Sequence, residues 1–247
     1  RIKDLKVPLP PLGEQKQIAT LFQSMEKPIE QVDLQEKNLV NLKKLLCEGL
    51  VSKNPTFGNL LNTNNCSLSS FSDFTDCVEK HDKSPLENGI TRFVGLENIE
   101  PEQFQLNGYG NIENGTTFTK RFSKGDVLFG KRRAYLKKVA IADFDGICSG
   151  DILVLRAKED KILKELLPFY VSSEAFINHA VSTSAGSLSP RTKWKDLSKF
   201  EVSLPDLKTQ QIILDVFKQL EQALSQLKQQ KQTLKLLKQN LLNEIFG

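Results

Sequence analysis

Val7-Pro-Leu-Pro-Pro-Leu-Gly-Glu-Gln15 stands near the start of this sequence, and Val202-Ser-Leu-Pro-Asp-Leu-Lys-Thr-Gln210 stands 195 positions later in the same frame. The match continues without a gap. Ile18 and Phe22 meet Ile213 and Phe217, and Leu39, Leu42, Lys43 and Leu46 meet Leu234, Leu237, Lys238 and Leu241. A leucine-rich helix could imitate the later matches by chance, but it would not imitate the Val-x-Leu-Pro-x-Leu-x-x-Gln lead-in. The sequence therefore holds a duplication of roughly fifty residues, one copy on each side of a different stretch.

Both copies read as long helices. Ile18, Met25, Val32, Leu39 and Leu46 recur every seven residues, and so do Ile213, Leu220, Leu227, Leu234 and Leu241. That period makes one apolar seam per helix. Phe22, Ile29, Leu42 and Leu50, and in the second copy Phe217, Leu224, Leu237 and Ile245, widen each seam into a stripe. Such a seam needs a cover, and the nearest one is the other helix of the same chain, as an antiparallel coiled coil. The polar pairs Gln35–Glu36 and Gln230–Lys231 read as a solvated edge of the stripe, with register setting as the other reading. Pro28 falls inside the first pattern and predicts a kink. Each helix should run about 50 Å at 1.5 Å per residue, which suits a spacer or docking rod.

The residues between the copies read as one mixed α/β domain. Strand candidates are 92–96, 126–129, 138–142 and 152–156, separated by Gly, Asn and Asp turn signals. A helical pattern spans 161–181, and 182–193 is a polar loop ending in cations. The expected organisation is a helical region at 1–52, a globular domain at 53–200 and a second helical region at 201–247. The fold class is α+β, with one mixed domain carried on two long antiparallel helices. Trp194 begins the path from the domain into the second helix, and Lys3-Asp4-Leu5 resembles part of that path (Lys195-Asp196-Leu197). With Arg1 first and Met25 the only methionine, the expectation is a processed product or a piece of a longer chain with another globular domain upstream.

Composition narrows the function. Of 247 residues, 39% are hydrophobic and 26% charged, which is ordinary for a globular protein and too balanced for disorder. No run approaches a membrane span and no signal-peptide core is present, so a cytoplasmic protein is expected. Cys47, Cys66, Cys77 and Cys148 form no CxxC pair, and His81 and His179 have no cysteine at ligand spacing. Nucleotide-binding loops, zinc motifs and nucleophile elbows are missing, and no cofactor is expected. Asp143, Asp145 and Asp151 read as turn residues beside strands. Cys148 reads as core, and His179 as a surface or junction residue.

Charge is polarised within the domain. Between Lys120 and Lys138 lie eight cations and one acid, although 53–193 as a whole carries 18 basic and 17 acidic residues. Candidate nucleic-acid contacts are Lys120, Arg121, Lys131, Arg132, Arg133, Tyr135, Lys137 and Lys138, joined by Arg191 and Lys193 from the second basic loop. Arg can read guanine bidentately while Lys holds phosphates. A merely solvated basic face is the competing reading.

In these motifs the chain resembles the specificity subunit of type I restriction–modification systems. The resemblance rests on Leu9 to Gln15 and Leu204 to Gln210 opening the helices. It rests further on Phe93-Val-Gly-Leu-Glu-Asn-Ile99, Lys124-Gly-Asp-Val-Leu-Phe-Gly-Lys131 and Phe144-Asp-Gly-Ile-Cys-Ser-Gly-Asp151 within the domain. It implies a non-catalytic subunit whose target-recognition domain reads half of a bipartite site in double-stranded DNA. It further implies methyltransferase subunits docked on the helices, with an endonuclease/translocase subunit joining for cleavage. A half-size member would pair as a homodimer to restore two recognition domains. The alternative is a coiled-coil interaction adapter without a DNA-reading role.

Overall fold

Two 40-residue helices, α1 (Leu12–Val51) and α6 (Leu207–Phe246), are the longest elements of the computed structural model, which describes residues 10–52, 55–58, 60–61 and 65–246. Lys3-Asp4-Leu5 and the Val7–Leu9 part of the first lead-in lie outside the described residues. At 1.5 Å per residue each helix is about 60 Å long. α1 continues through Pro28. Asp206 accepts the Thr209 backbone N–H at 2.7 Å and so caps the start of α6. The cap draws its carboxyl below the usual range. Pro11 occupies that position in the first copy, where its missing N–H is no loss at a helix start.

The chain divides into two compact units. The first is the rod: α1 up to Lys43, with α6 from Phe217. Its ion pairs fix an antiparallel register. Lys43 meets Glu221, and Lys238 meets Glu26 at 2.7 Å. These are one interaction twice, because the 195-residue shift turns Lys43 into Lys238 and Glu26 into Glu221. Lys231 pairs with Asp33 and, at 3.2 Å, with Glu36. Glu36 and Lys231 are themselves duplicates, so a local two-fold axis passes near them. The polar interruption thus belongs to the register, not to a solvated edge. Val32 and Leu220 are buried; Ile18, Met25, Leu39, Leu227, Leu234 and Leu241 are half-buried. Leu42 and Leu237, which the wider stripe would bury, are exposed.

The second unit runs from Lys44 to Val216, so the domain includes the adjoining turns of both helices. Leu46 and Ile213 of the seam therefore lie here, half-buried and buried respectively. Glu48 of α1 accepts the backbone N–H groups of Glu174 and Ala175, at the start of a helix deep in the domain. Gln210 of α6 is fully buried; its Nε2 donates to the Lys161 and Pro205 carbonyls, and its Oε1 accepts the Leu163 N–H.

Two four-stranded sheets build the domain's core. In one, β2 (Thr75–Cys77), β9 (Ile152–Ala157), β6 (Val127–Gly130) and β7 (Val139–Ile141) lie in that antiparallel order. The other orders β4 (Gly110–Asn111), β3 (Arg92–Val94), β8 (Gly146–Cys148) and β5 (Lys120–Phe122), with β3 and β8 parallel. Both contribute to one apolar cluster that includes Val94, Phe122, Leu128, Ala140, Cys148, Ile152 and Val154. A two-stranded ribbon of β1 (Cys66–Ser70) and β10 (Glu201–Pro205) ties the two ends of the domain together. Against it lies an aromatic layer: Phe71 of the short α2 (Phe71–Phe74) stacks 4.9 Å from Phe176 and 5.6 Å from Trp194.

The helical pattern at 161–181 resolves into two helices, α3 (Leu167–Ser172) and α4 (Glu174–Ser182). Ser173 separates them because its extended backbone lets the side chain cap α4, accepting the Phe176 N–H at 3.2 Å. α5 (Trp194–Leu197) then leads into β10. Buried Asp126, just before β6, ties it to the neighbouring β9, accepting 2.7 Å bonds from Nε and the second terminal nitrogen of Arg156 and from the Ser123 N–H. Asp126→Asn should lower unfolding stability by about 2 kcal/mol, since it removes the charge of a pair buried on one side. A urea titration would read this as a lower midpoint at unchanged slope.

Candidate nucleic-acid interface

β6 ends at Gly130, and the chain must then turn sharply to start β7 at Val139. It does so through two left-handed residues, Arg133 (φ 53°) and Lys137 (φ 52°), on either side of a helical turn at Ala134–Leu136. A left-handed conformation at a residue bearing Cβ costs about 1 kcal/mol, and the usual occupant is glycine. Long cations occupy both positions.

A second loop, from the end of α4 to α5, braces the first. The Arg133 N–H donates to the Pro190 carbonyl at 2.8 Å, and the Thr192 N–H to the Lys131 carbonyl at 3.1 Å. Arg132 and Arg191 form an antiparallel bridge. Asp151, just before β9, locks the two loops from below. Its carboxylate accepts Nε of Arg191 at 2.7 Å and a guanidinium nitrogen of Arg132 at 3.1 Å. Arg191 holds the Asp151 carboxyl below the usual carboxylate range, so the clamp is fully ionised at neutral pH.

Of the ten residues singled out in the sequence, six are brought together here. Arg132, Arg133, Tyr135, Arg191 and Lys193 are exposed, and Lys131 is half-buried. Among the described residues, Arg133 and Lys193 make no ion pair. The other four stand elsewhere or are engaged. Lys120 is a correction: it is buried, with Nζ on Glu79 at 3.1 Å and on the Ile152 carbonyl at 3.3 Å. Arg121, on the same strand of the other sheet, pairs with Asp82 at 3.4 Å. Lys137 is held by Glu174, and Lys138 donates to the Leu96 carbonyl at 2.7 Å. Asp151 stands in the turn before β9, as expected, and is in addition an arginine clamp. Its partners lie 19 and 40 residues away, so no local pattern marks it.

Other residues are structural. Cys148 is fully buried, and burial pushes its thiol up to about 12. His179 bonds the Asp196 carbonyl oxygen at 2.9 Å and stacks against Phe200. Among the described residues no cluster of His, Cys, Asp or Glu side chains could hold a metal ion. No described helix is long and apolar enough to cross a membrane.

Asp151→Asn would leave both arginines in place without their counter-charge. Affinity for unrelated DNA should rise several-fold, and its fall with salt should steepen by about one phosphate contact. Binding isotherms across a salt series read this directly, and an unchanged slope would show that these arginines do not meet DNA.

The family model of the type I restriction modification DNA specificity domain matches residues 81–236. The type I restriction enzyme EcoDI specificity subunit of Escherichia coli is 33% identical over 159 residues, covering 64% of this chain and 35% of that protein. Among solved structures, the HsdS subunit from Thermoanaerobacter tengcongensis superposes with a TM-score of 0.61 at 19% identity, over 97% of this chain and 60% of that one. A type I restriction–modification S subunit from M. genitalium gives 0.57 at 15%, over 96% and 61%. The structural matches show a common fold, and the chain spans only part of each relative. Because the family model covers more than half of its residues, the chain belongs to the type I restriction–modification DNA specificity family.

Proposed function

We propose that this chain is the non-catalytic DNA-reading component of a type I restriction–modification complex. Its domain reads one half of a bipartite site in double-stranded DNA, and its helical rod is the platform for methyltransferase subunits. The observation that carries the reading is the pair of interlocked loops in which Asp151 holds Arg132 and Arg191 while Arg133 and Lys193 make no ion pair among the described residues. Guanidinium groups fixed in direction suit base edges, and free cations beside them suit phosphates.

The two-fold register of the rod supports a bipartite target. Gln15 donates to the Pro10 carbonyl at 2.7 Å, as Gln210 donates to that of Pro205, but Gln15 is exposed. A second recognition domain, supplied by a preceding segment or by another copy of the chain, fits that repeated seat. The two domains would then read one half-site each. Methyltransferase subunits would extrude the target adenine for methylation, and the endonuclease/translocase subunit would join this assembly for cleavage. Exposed Leu34 and Leu236 on the rod suit protein docking.

The deciding experiment adds this chain and its methyltransferase subunit to a random-sequence DNA library and maps N6-methyladenine. A bipartite motif supports the reading, and a palindromic one shows two copies acting as a pair. Methylation without sequence preference, or assembly with methyltransferase but no DNA binding, favours the adapter instead.

A further inference from the structure

The loop between α4 and α5 does more than brace the basic turn. Ala185 and Arg191 exchange both backbone hydrogen bonds at 3.0 Å, and the Thr183 and Thr192 hydroxyls meet at 3.3 Å across the same two legs. The result is a short two-legged ribbon. Gly186 takes φ +108° at its turn, where a side chain would be strained. The ribbon is pinned on its other side by the Arg133 to Pro190 bond, and Arg191 reaches from Asp151 back to the Ser189 carbonyl at 3.5 Å. At the tip, between two serines, Leu188 is 90% exposed, more than any other large apolar side chain among the described residues.

A leucine in water on a braced tip contributes nothing to folding, whereas covering it on binding is favourable. The shape of its carrier indicates what covers it. A narrow two-legged loop closed by one antiparallel bridge fits the major groove of DNA, about 12 Å wide, where every base pair shows a distinct edge. In the major groove the apolar feature of a base edge is the thymine 5-methyl group. Arg132, Arg133 and Arg191 at the ribbon's base would meet guanine edges or phosphates beside it.

We propose that Leu188 is a specificity-determining residue that reads a thymine in the target through its methyl group. This rests on the DNA-reading function above and deepens it. The test uses the full chain with its methyltransferase subunit on duplexes carrying the mapped motif, with each thymine replaced in turn by deoxyuridine. For the wild type, one replacement should weaken binding about five-fold, the worth of a single methyl contact. Leu188→Ala should bind the unmodified duplex about as weakly and be indifferent to that replacement. Its melting temperature should be unchanged, because the side chain touches solvent. Wild-type affinity and motif in Leu188→Ala overturn the assignment, as does an undiminished response to deoxyuridine or a motif in which no thymine methyl matters. Failure of the wild-type complex to methylate any defined sequence overturns the DNA-reading function itself, a result distinct from these.

Discussion

Arg133→Gly should make the protein more stable and the complex weaker on DNA. Both effects come from the same backbone. Arg133 sits at φ 53°, where glycine is relaxed and arginine is strained, so the replacement should raise unfolding stability by about 0.5 to 1 kcal/mol. Its guanidinium makes no ion pair among the described residues, so no fold interaction is lost. The same change removes an unneutralised cation at the centre of the two loops, and affinity for the specific duplex should fall about tenfold. Adding Arg132→Ala should bring the loss to about a hundredfold, since bidentate contacts contribute one to three kcal/mol each. Thermal melting and fluorescence anisotropy on specific and unrelated duplexes separate the two effects. Opposite signs are the signature of a strained residue kept for binding. A stabilised variant with unchanged affinity would remove Arg133 from the interface.

The helices were legible because their information is local and repeated. A seven-residue period declares a helix and its buried face without knowledge of anything distant, and the lead-in motif marks where each begins. The strands 92–96, 126–129, 138–142 and 152–156 were visible for the same reason, each being short, apolar and bounded by turn residues. β1 was not: Cys66-Ser-Leu-Ser-Ser70 is polar, and it becomes a strand only because β10, far along the chain, supplies its ladder. The pattern at 161–181 read as one helix because apolar spacing continues across Ser173, while the capping bond that ends it depends on a single hydroxyl. Charge density was legible, but its direction was not. Lys120 and Arg121 are neighbours in the basic run, yet strand alternation turns Lys120 inward, where Glu79 and a carbonyl accept it. Asp151 shows the limit most clearly, since its role exists only once two remote arginines arrive beside it.

Val32→Asp should separate the two helices of the rod, whereas Leu34→Asp should leave them paired. The side chains are two residues apart and point in different directions: Val32 is 3% exposed and Leu34 is 60% exposed. An aspartate at Val32 would carry a buried, unpaired carboxylate close to Asp33 and Glu36, which already share Lys231. Its desolvation and the repulsion should cost about 3 kcal/mol or more, enough to fray a pair of helices with few other buried residues. Loss of helical circular dichroism at a lower temperature than the domain's own transition would report it. At Leu34 the charge meets water, so helicity should persist. If this face receives a methyltransferase subunit, assembly should still weaken by about tenfold, because a buried apolar contact becomes a desolvated charge. Size-exclusion chromatography of the mixed subunits distinguishes the cases. A rod that melts in both variants would mean that Leu34 is needed for the helix pair. A Leu34→Asp protein that assembles normally would move the docking site to another face, with Leu236 on α6 the next to test.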